Sequence, residues 1–336
     1  MRLGDLPQEA LPALPQELEP CAVYELGSNS FKLVQAFREG ADRIWIFADR
    51  SLACRLAEGL EKKGELGSDA VQRGLRALES LRSQEQKGIG QRWILATSAV
   101  RDAHNREEFL SQVEELLGIR PVVLSGWQEA SLILQGVATD PQWTQLALEV
   151  VDVGGGSCEW MEGAGGELWA AASLPLGSVR LREAFLKDFP VGPEVVRNLK
   201  AFLYERVAKA TADFARRAQV LVATGGAVTA AASFREKEVA LRLRCGGKVW
   251  IPRETLEETL GKLQELSWEN LLQETSIEKE RADLLIPGLC ILSVTLELAG
   301  GKGVWISGRG LRYGALARWL GQGARPVVLW KVEKGS

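Results

Sequence analysis

Apolar positions along this chain recur with two periods, and the two alternate from end to end. Residues 21–37 read as strand, glycine turn and strand, with Phe31, Leu33 and Val34 resuming the apolar pattern after the turn. Residues 43–47 add a short strand. Ser68–Ser83 switches to helical spacing: Ser68 and Asp69 suit a helix start, and Val71, Leu75, Leu78 and Leu81 form one stripe. A strand at 93–96, an amphipathic helix at 105–117, a strand at 121–124 and a helix over about 128–136 follow. Then the order begins again, with a turn at Pro141, a buried strand at 146–153, a glycine turn at 154–156 and a strand at 157–161. Helices are predicted at 179–186, 193–217 and 255–266, with strand 219–223, turn 224–226 and helix 227–234 among them. The end reads as an apolar helix at 282–298, a strand at 303–306 and a glycine turn opening a helix at 311–320. Strands alternating with helices make this an α/β protein.

The restart is a repeat. Glu25-Leu-Gly-Ser-Asn-Ser30 and Asp152-Val-Gly-Gly-Gly-Ser157 agree in kind at every step: acid, aliphatic, glycine, small residue, Asn or Gly, serine. Each interrupts an apolar strand that resumes at once. With 336 residues, the chain is divided into an extension (1–20), a first domain (21–127), a second domain (128–320) and a tail (321–336). The helix at the end of the second domain is expected to pack back on the first. Two duplicated hairpins spaced one domain apart suggest two related domains facing across a cleft.

The residue types suit a phosphate. Glycine lets the backbone approach an anion and turn successive N–H groups inward, and serine and asparagine add side-chain donors. Gly27, Ser28, Asn29 and Ser30 in one loop, and Gly154, Gly155, Gly156 and Ser157 in the other, are the candidate phosphate-binding residues. The acid ending each first strand repels phosphate, so Glu25 and Asp152 are read as holding a divalent cation, for which Mg²⁺ fits, or as orienting water. The turn Thr224-Gly225-Gly226 runs from strand to helix and adds an anion-binding helix start; Ser307-Gly-Arg-Gly310 adds another, with Arg309 and Arg312. A dinucleotide fingerprint is excluded because the second loop lacks its third glycine and following helix, and no G-x-x-x-x-G-K-[ST] occurs.

Composition narrows the rest. The chain is 46% hydrophobic and 25% charged with net charge −3, so no basic field advertises nucleic acid or membrane as partner. Five scattered cysteines with no CxxC pair argue against disulfides and zinc and fit a reducing cytoplasm. With His104 as the lone histidine, any His-based cluster is excluded. Residues 1–20 carry four prolines among acids and leucines, without the basic start and apolar core of a signal peptide. Of the eleven tryptophans, Trp93 and Trp305 sit in apolar strands, whereas Trp127 and Trp160 adjoin the proposed site, where a guanine could stack. The basic stretch 242–248 reads as a solvated loop or the lining of a groove.

Taken in order, these motifs resemble the exopolyphosphatase and guanosine pentaphosphate phosphatase (Ppx/GppA) family. The matching blocks are ELGSNSFKLV, ATSAVRDAHNREEFL, LSGWQEASLILQGV, VVDVGGGSCEW, SLPLGSVRL, ATGGAVT, ERADLLIPG and ISGRGLRYG. The resemblance implies two duplicated ribonuclease-H-like domains of the actin-like superfold with a phosphate-binding cleft between them. It implies Mg²⁺-assisted release of terminal phosphate from polyphosphate or guanosine pentaphosphate, and a homodimer as a family-level expectation. Glu129 matches the family's catalytic base, Asp152 and Glu159 its other essential acids around metal and water, and Arg101 an arginine reaching the phosphates. The metal set is therefore Glu25, Asp152 and Glu159. Glu25 departs from the usual aspartate, Trp127 and Gln128 stand where acids are common, and Gly308 replaces a usual aspartate, implying a lost supporting contact. The chain stops at Ser336 without the helical extension of longer relatives, which implies a weaker grip on long polymers. The competing readings are an ATP-dependent kinase or ATPase of the same superfold, and a sensor that binds without cleaving.

Overall fold

The computed structural model describes residues 20–40, 43–215, 218–233, 237–275, 277, 279–319 and 327–330. The expected extension therefore lies outside the described residues apart from Pro20, as does the tail except for 327–330. The ends expected for three helices, at 217, 234 and 320, also lie outside them.

Two six-stranded sheets carry the fold. The first is built from β1 (Pro20–Leu26), β2 (Ser30–Glu39), β3 (Arg43–Ala53), β4 (Gln91–Ala96), β5 (Val122–Val123) and the late strand Val327–Trp330. The second uses β6 (Ala147–Val153), β7 (Cys158–Ala164), β8 (Glu167–Leu174), β9 (Val220–Thr224), β10 (Lys248–Pro252) and β11 (Gly303–Ser307). The spatial orders are β3-β2-β1-β4-β5 and β8-β7-β6-β9-β11, so one pattern occurs twice. In each, the first three strands form an antiparallel meander and the next two join parallel to its first strand. This is the duplicated ribonuclease-H-like arrangement expected from the repeat. Each copy gains one edge strand: Val327–Trp330, here β12, beside β3, and β10 beside β11.

β8, β10 and β12 were not legible as strands. β8 is an edge strand with no fully buried residue. The stretch 242–248, expected as a loop, is instead the end of the helix Lys237–Arg244, a tight turn and the start of β10. The helix expected at 193–217 is Pro193–Ala210, ending where Thr211 donates both N–H and Oγ–H to the Val207 carbonyl.

Two helices join the copies. Gly126–Ala138 and Leu311–Trp319 pack with their backbones in close approach, because glycines stand where they cross. A methyl on Gly136 would fall 2.0 Å from the Gly310 carbonyl oxygen, and one on Gly314 1.8 Å from that of Leu132. Around this pair one apolar cluster takes Val23, Val34 and Ile44 from the first sheet and Val150, Met161 and Val222 from the second. Leu311–Trp319 also meets β1 of the first sheet. The segment Lys279–Ala299 is long and apolar enough to cross a membrane, but 83% of its apolar window is buried inside the second half of the fold.

Candidate active site

Both glycine loops are hairpin turns of one shape. Gly27 stands 2.9 Å from the Ser30 carbonyl oxygen, measured from where a Cβ would be, and Gly154 stands 2.8 Å from that of Ser157. Both loops also have their carbonyls drawn to one side. Ser178 N–H donates to the Gly154 carbonyl at 2.9 Å, Val179 N–H to that of Gly155 at 2.9 Å, and Gly177 N–H to that of Gly156 at 3.3 Å. A trans peptide sets N–H opposite C=O, so the N–H groups of Gly155, Gly156 and Ser157 turn away from this helix. Their free side is the cleft, which Ser157 lines. In the first loop the Ser28 and Asn29 carbonyls accept from the amides of Ala57, Cys54 and Arg55, all at 2.9 Å. The loops face one another. A methyl on Gly155 would stand 3.1 Å from Asn29 N, and one on Gly156 would meet the hydroxyls of Ser28 and Ser98.

Glu129 enters this junction from the helix Gly126–Ala138. That helix start is fixed by a capping box, in which Ser125 accepts from Gln128 N–H and the Gln128 side chain accepts from Ser125 N–H. The buried Glu129 carboxylate accepts a 2.8 Å hydrogen bond from Arg101 Nη1, which also donates to the Leu124 carbonyl at 2.9 Å. Burial pushes its pKa up to about 7; Arg101 pulls it down, and Asp152 and Glu25 add to the rise. Asp152 and Glu159 stand opposite each other in the β6–β7 ladder, so both point to one face. Burial, offset by Lys32 and reinforced by Glu25, brings Asp152 to about 6. Glu159 lies well above the usual range through burial and the charges of Glu129 and Asp152. Ser173 Oγ donates to its Oε1 at 2.8 Å, while its Oε2 is buried without a partner.

The cleft beside these groups has a volume of about 510 Å³ and is walled by Ser98, Arg101, Gly126, Ser157, Ser173 and Arg180, among others. It combines fixed amides, hydroxyls and two guanidiniums with carboxylates held near neutrality. Such a set can grip an anion and hold a base beside it.

A family model for the Ppx/GppA phosphatase family matches residues 33–322. The chain belongs to the Ppx/GppA phosphatase family. Among solved structures, an Aquifex aeolicus Ppx/GppA family member is 25% identical, with a TM-score of 0.74 over 89% of this chain and 96% of that one. A second Aquifex aeolicus structure, described as a PPX-GPPA enzyme, is 26% identical with a TM-score of 0.72, covering 89% and 99%. A Cytophaga hutchinsonii exopolyphosphatase, 21% identical, shares the fold with a TM-score of 0.80, covering 90% and 98%.

Within this Ppx/GppA chain the residues expected at the site divide into three groups. Glu129, Arg101, Asp152, Glu159 and the two loops converge. Thr224 and Gly225 lie behind them: Thr224 is buried next to Asp152 in register, and Gly225 (φ 107°) abuts the Val153 carbonyl. Gly226 faces open space. Glu25 is engaged by two cations. Its Oε1 pairs with Lys32 at 2.7 Å and its Oε2 with Arg312 at 3.3 Å, so both oxygens are taken by cations. Burial opposes its ionisation, but Lys32 and Arg312 outweigh it and hold its carboxyl below the usual range.

Three further expectations change. Arg309 is buried, donating to the Gly246 carbonyl and Thr139 Oγ1 at 2.8 and 2.9 Å, and Arg312 serves Glu25 and Asp49, so neither opens onto the cleft as a free cation. Gly308 is no lost contact: a side chain there would strike the Leu243 carbonyl at 1.8 Å. Trp160 is 1% exposed and donates to Thr295 Oγ1 at 3.1 Å, a core residue, whereas Trp127 is 54% exposed. Sequence reasoning missed Lys32, Ser98, Ser173 and Arg180. Lys32 was legible as the counterpart of Glu159, seven residues beyond its acid in the repeat.

Proposed function

We propose that this protein is a phosphohydrolase that releases terminal phosphate from inorganic polyphosphate or guanosine pentaphosphate, with Glu129 as the base. The observation that carries the reading is Glu129 itself: a buried carboxylate with pKa of about 7, hydrogen-bonded by Arg101 at 2.8 Å, at the meeting of two phosphate-type loops. A base is most useful when its pKa lies near the operating pH. Glu129 takes a proton from water as the water attacks the terminal phosphorus, and the bond to the bridging oxygen breaks, so the shortened chain leaves. The N–H groups of the Gly154–Ser157 turn and the guanidinium of Arg101 meet the charge on the transferred phosphoryl.

Mg²⁺ is part of the proposal. The donor set fits the mode in which Mg²⁺ takes one or two carboxylates and completes its shell with water and phosphate oxygens. Asp152 and Glu159 are adjacent, and Glu159 Oε2 is buried without a partner. When bound, the ion neutralises charge on the phosphate oxygens.

Phosphate release from polyphosphate, guanosine pentaphosphate and ATP, followed with Mg²⁺ in wild type and Glu129→Ala, tests the reading. Release from either of the first two, lowered by about a hundredfold or more in the variant, is expected. Release from ATP alone, binding without release, or activity that survives in the variant rejects it.

A further inference from the structure

The cleft holds a second arginine that the mechanism does not use. Arg180 occupies the third position of the helix Ser178–Phe185, whose first amides hold the carbonyls of the Gly154–Gly156 turn. It lines the same cleft as Arg101 but comes from the second sheet's side. The two guanidiniums converge on one carboxylate. Asp102 Oδ2 accepts from Arg180 Nη2 at 2.5 Å and from Ser98 Oγ at 3.1 Å, while Asp102 Oδ1 lies 3.7 Å from Arg101 Nε. Arg180 Nη1 pairs with Glu61, and its buried Nε has no partner.

One account of these contacts is a clasp between the two halves of the fold. Its partners are weak for that role, since the side chains of Glu61 and Asp102 are 58% and 34% exposed. Exposed ion pairs contribute about 0–1 kcal/mol. A planar fork that lines a cleft beside a second fork suits a phosphate better.

We propose that Arg180, which here shares the Asp102 carboxylate with Arg101, forms a second anion subsite that holds the penultimate phosphate of a phosphoanhydride chain. Asp102 stands in for that phosphate. Chain entry displaces it, and the terminal phosphate then rests on the amides of the Gly154–Ser157 turn. The subsite selects for chains over single phosphates. This rests on the phosphohydrolase reading for its substrate class, and its test is a binding measurement that needs no turnover.

Calorimetric affinities for inorganic tripolyphosphate and for orthophosphate are compared in wild type, Arg180→Ala, Arg180→Lys and Glu61→Gln. Arg180→Ala is expected to weaken tripolyphosphate by about tenfold or more and orthophosphate by less than about twofold. Arg180→Lys recovers part of the loss, because it restores charge without the fork. Glu61→Gln, which frees Nη1, strengthens tripolyphosphate binding, and this variant remains informative if Arg180→Ala does not fold. Equal losses for both anions in Arg180→Ala overturn the subsite. So does Glu61→Gln weakening binding and lowering Tm alongside Arg180→Ala, the pattern of a clasp. Tripolyphosphate that binds as described while neither polyphosphate nor guanosine pentaphosphate releases phosphate removes the hydrolytic reading and leaves the subsite standing; wild type that binds no tripolyphosphate removes the subsite.

Discussion

The first and second glycine loops differ in one position that decides what each is for. In both, the acid at the end of the first strand faces the residue seven places on, across the hairpin ladder. Opposite Glu25 that residue is Lys32; opposite Asp152 it is Glu159. Lys32 and Arg312 therefore hold the Glu25 carboxyl below the usual range, whereas burial raises both Asp152 and Glu159, and Glu159 keeps one oxygen without a partner. The backbone device is symmetric and the charge is not. On the function proposed above, both turns face the phosphate chain, and only the second places two acids opposite each other to take a cation.

The largest expected effect tests that asymmetry. Asp152→Asn and Glu159→Gln are each expected to lower phosphate release from polyphosphate on the order of a hundredfold. Glu25→Gln is expected to lower it by less than about fivefold, because the amide oxygen still accepts from Lys32. Comparable losses in all three, in one Mg²⁺-containing assay, would return Glu25 to the metal set. A smaller effect tests the symmetry. Gly27→Ala and Gly154→Ala each drive a methyl against the carbonyl oxygen three residues on, at 2.9 and 2.8 Å. Each is expected to cost about 1–3 kcal/mol in denaturant unfolding, and by similar amounts. A cost confined to one loop would mean that the two turns are not equivalent.

Much of this was legible because it is local. The acid–glycine–serine repeat, the strand alternation and a helix beginning near Gln128, two residues after its true start at Gly126, depend on residues close in sequence. What stayed hidden depends on partners far along the chain. Nothing near Glu25 announces Arg312, 287 positions away in sequence. Gly308 looked like a lost acid because the carbonyl that forbids a side chain belongs to Leu243. Trp160 looked available for stacking until its indole was found beside Thr295, on the buried helix Leu285–Ala299. β8 and β10 are edge strands with no fully buried residue, and neither shows the apolar–polar alternation that marks a half-buried strand.

The smallest effect is a pair of opposite signs. Glu129 has its pKa raised from an ordinary 4.5 to about 7, so the folded state binds its proton more tightly than the unfolded chain does. Its ionisation therefore costs stability as pH rises from about 4.5 through 7, and the cost is complete above that. Glu129→Gln removes the cost: Tm should rise by a few degrees at pH 8, with the gain shrinking to nothing near pH 4. Glu25 has its carboxyl lowered by Lys32 and Arg312, so ionisation favours the fold above the ordinary carboxylate range. Glu25→Gln should then lower Tm at pH 8, and that loss should fade as pH falls through the folded value. Thermal melts of both variants across pH 4–8 read the two signs directly. Two shifts of the same sign would mean that the charges around Glu25 and Glu129 are not divided between the halves of the cleft as the ladder implies.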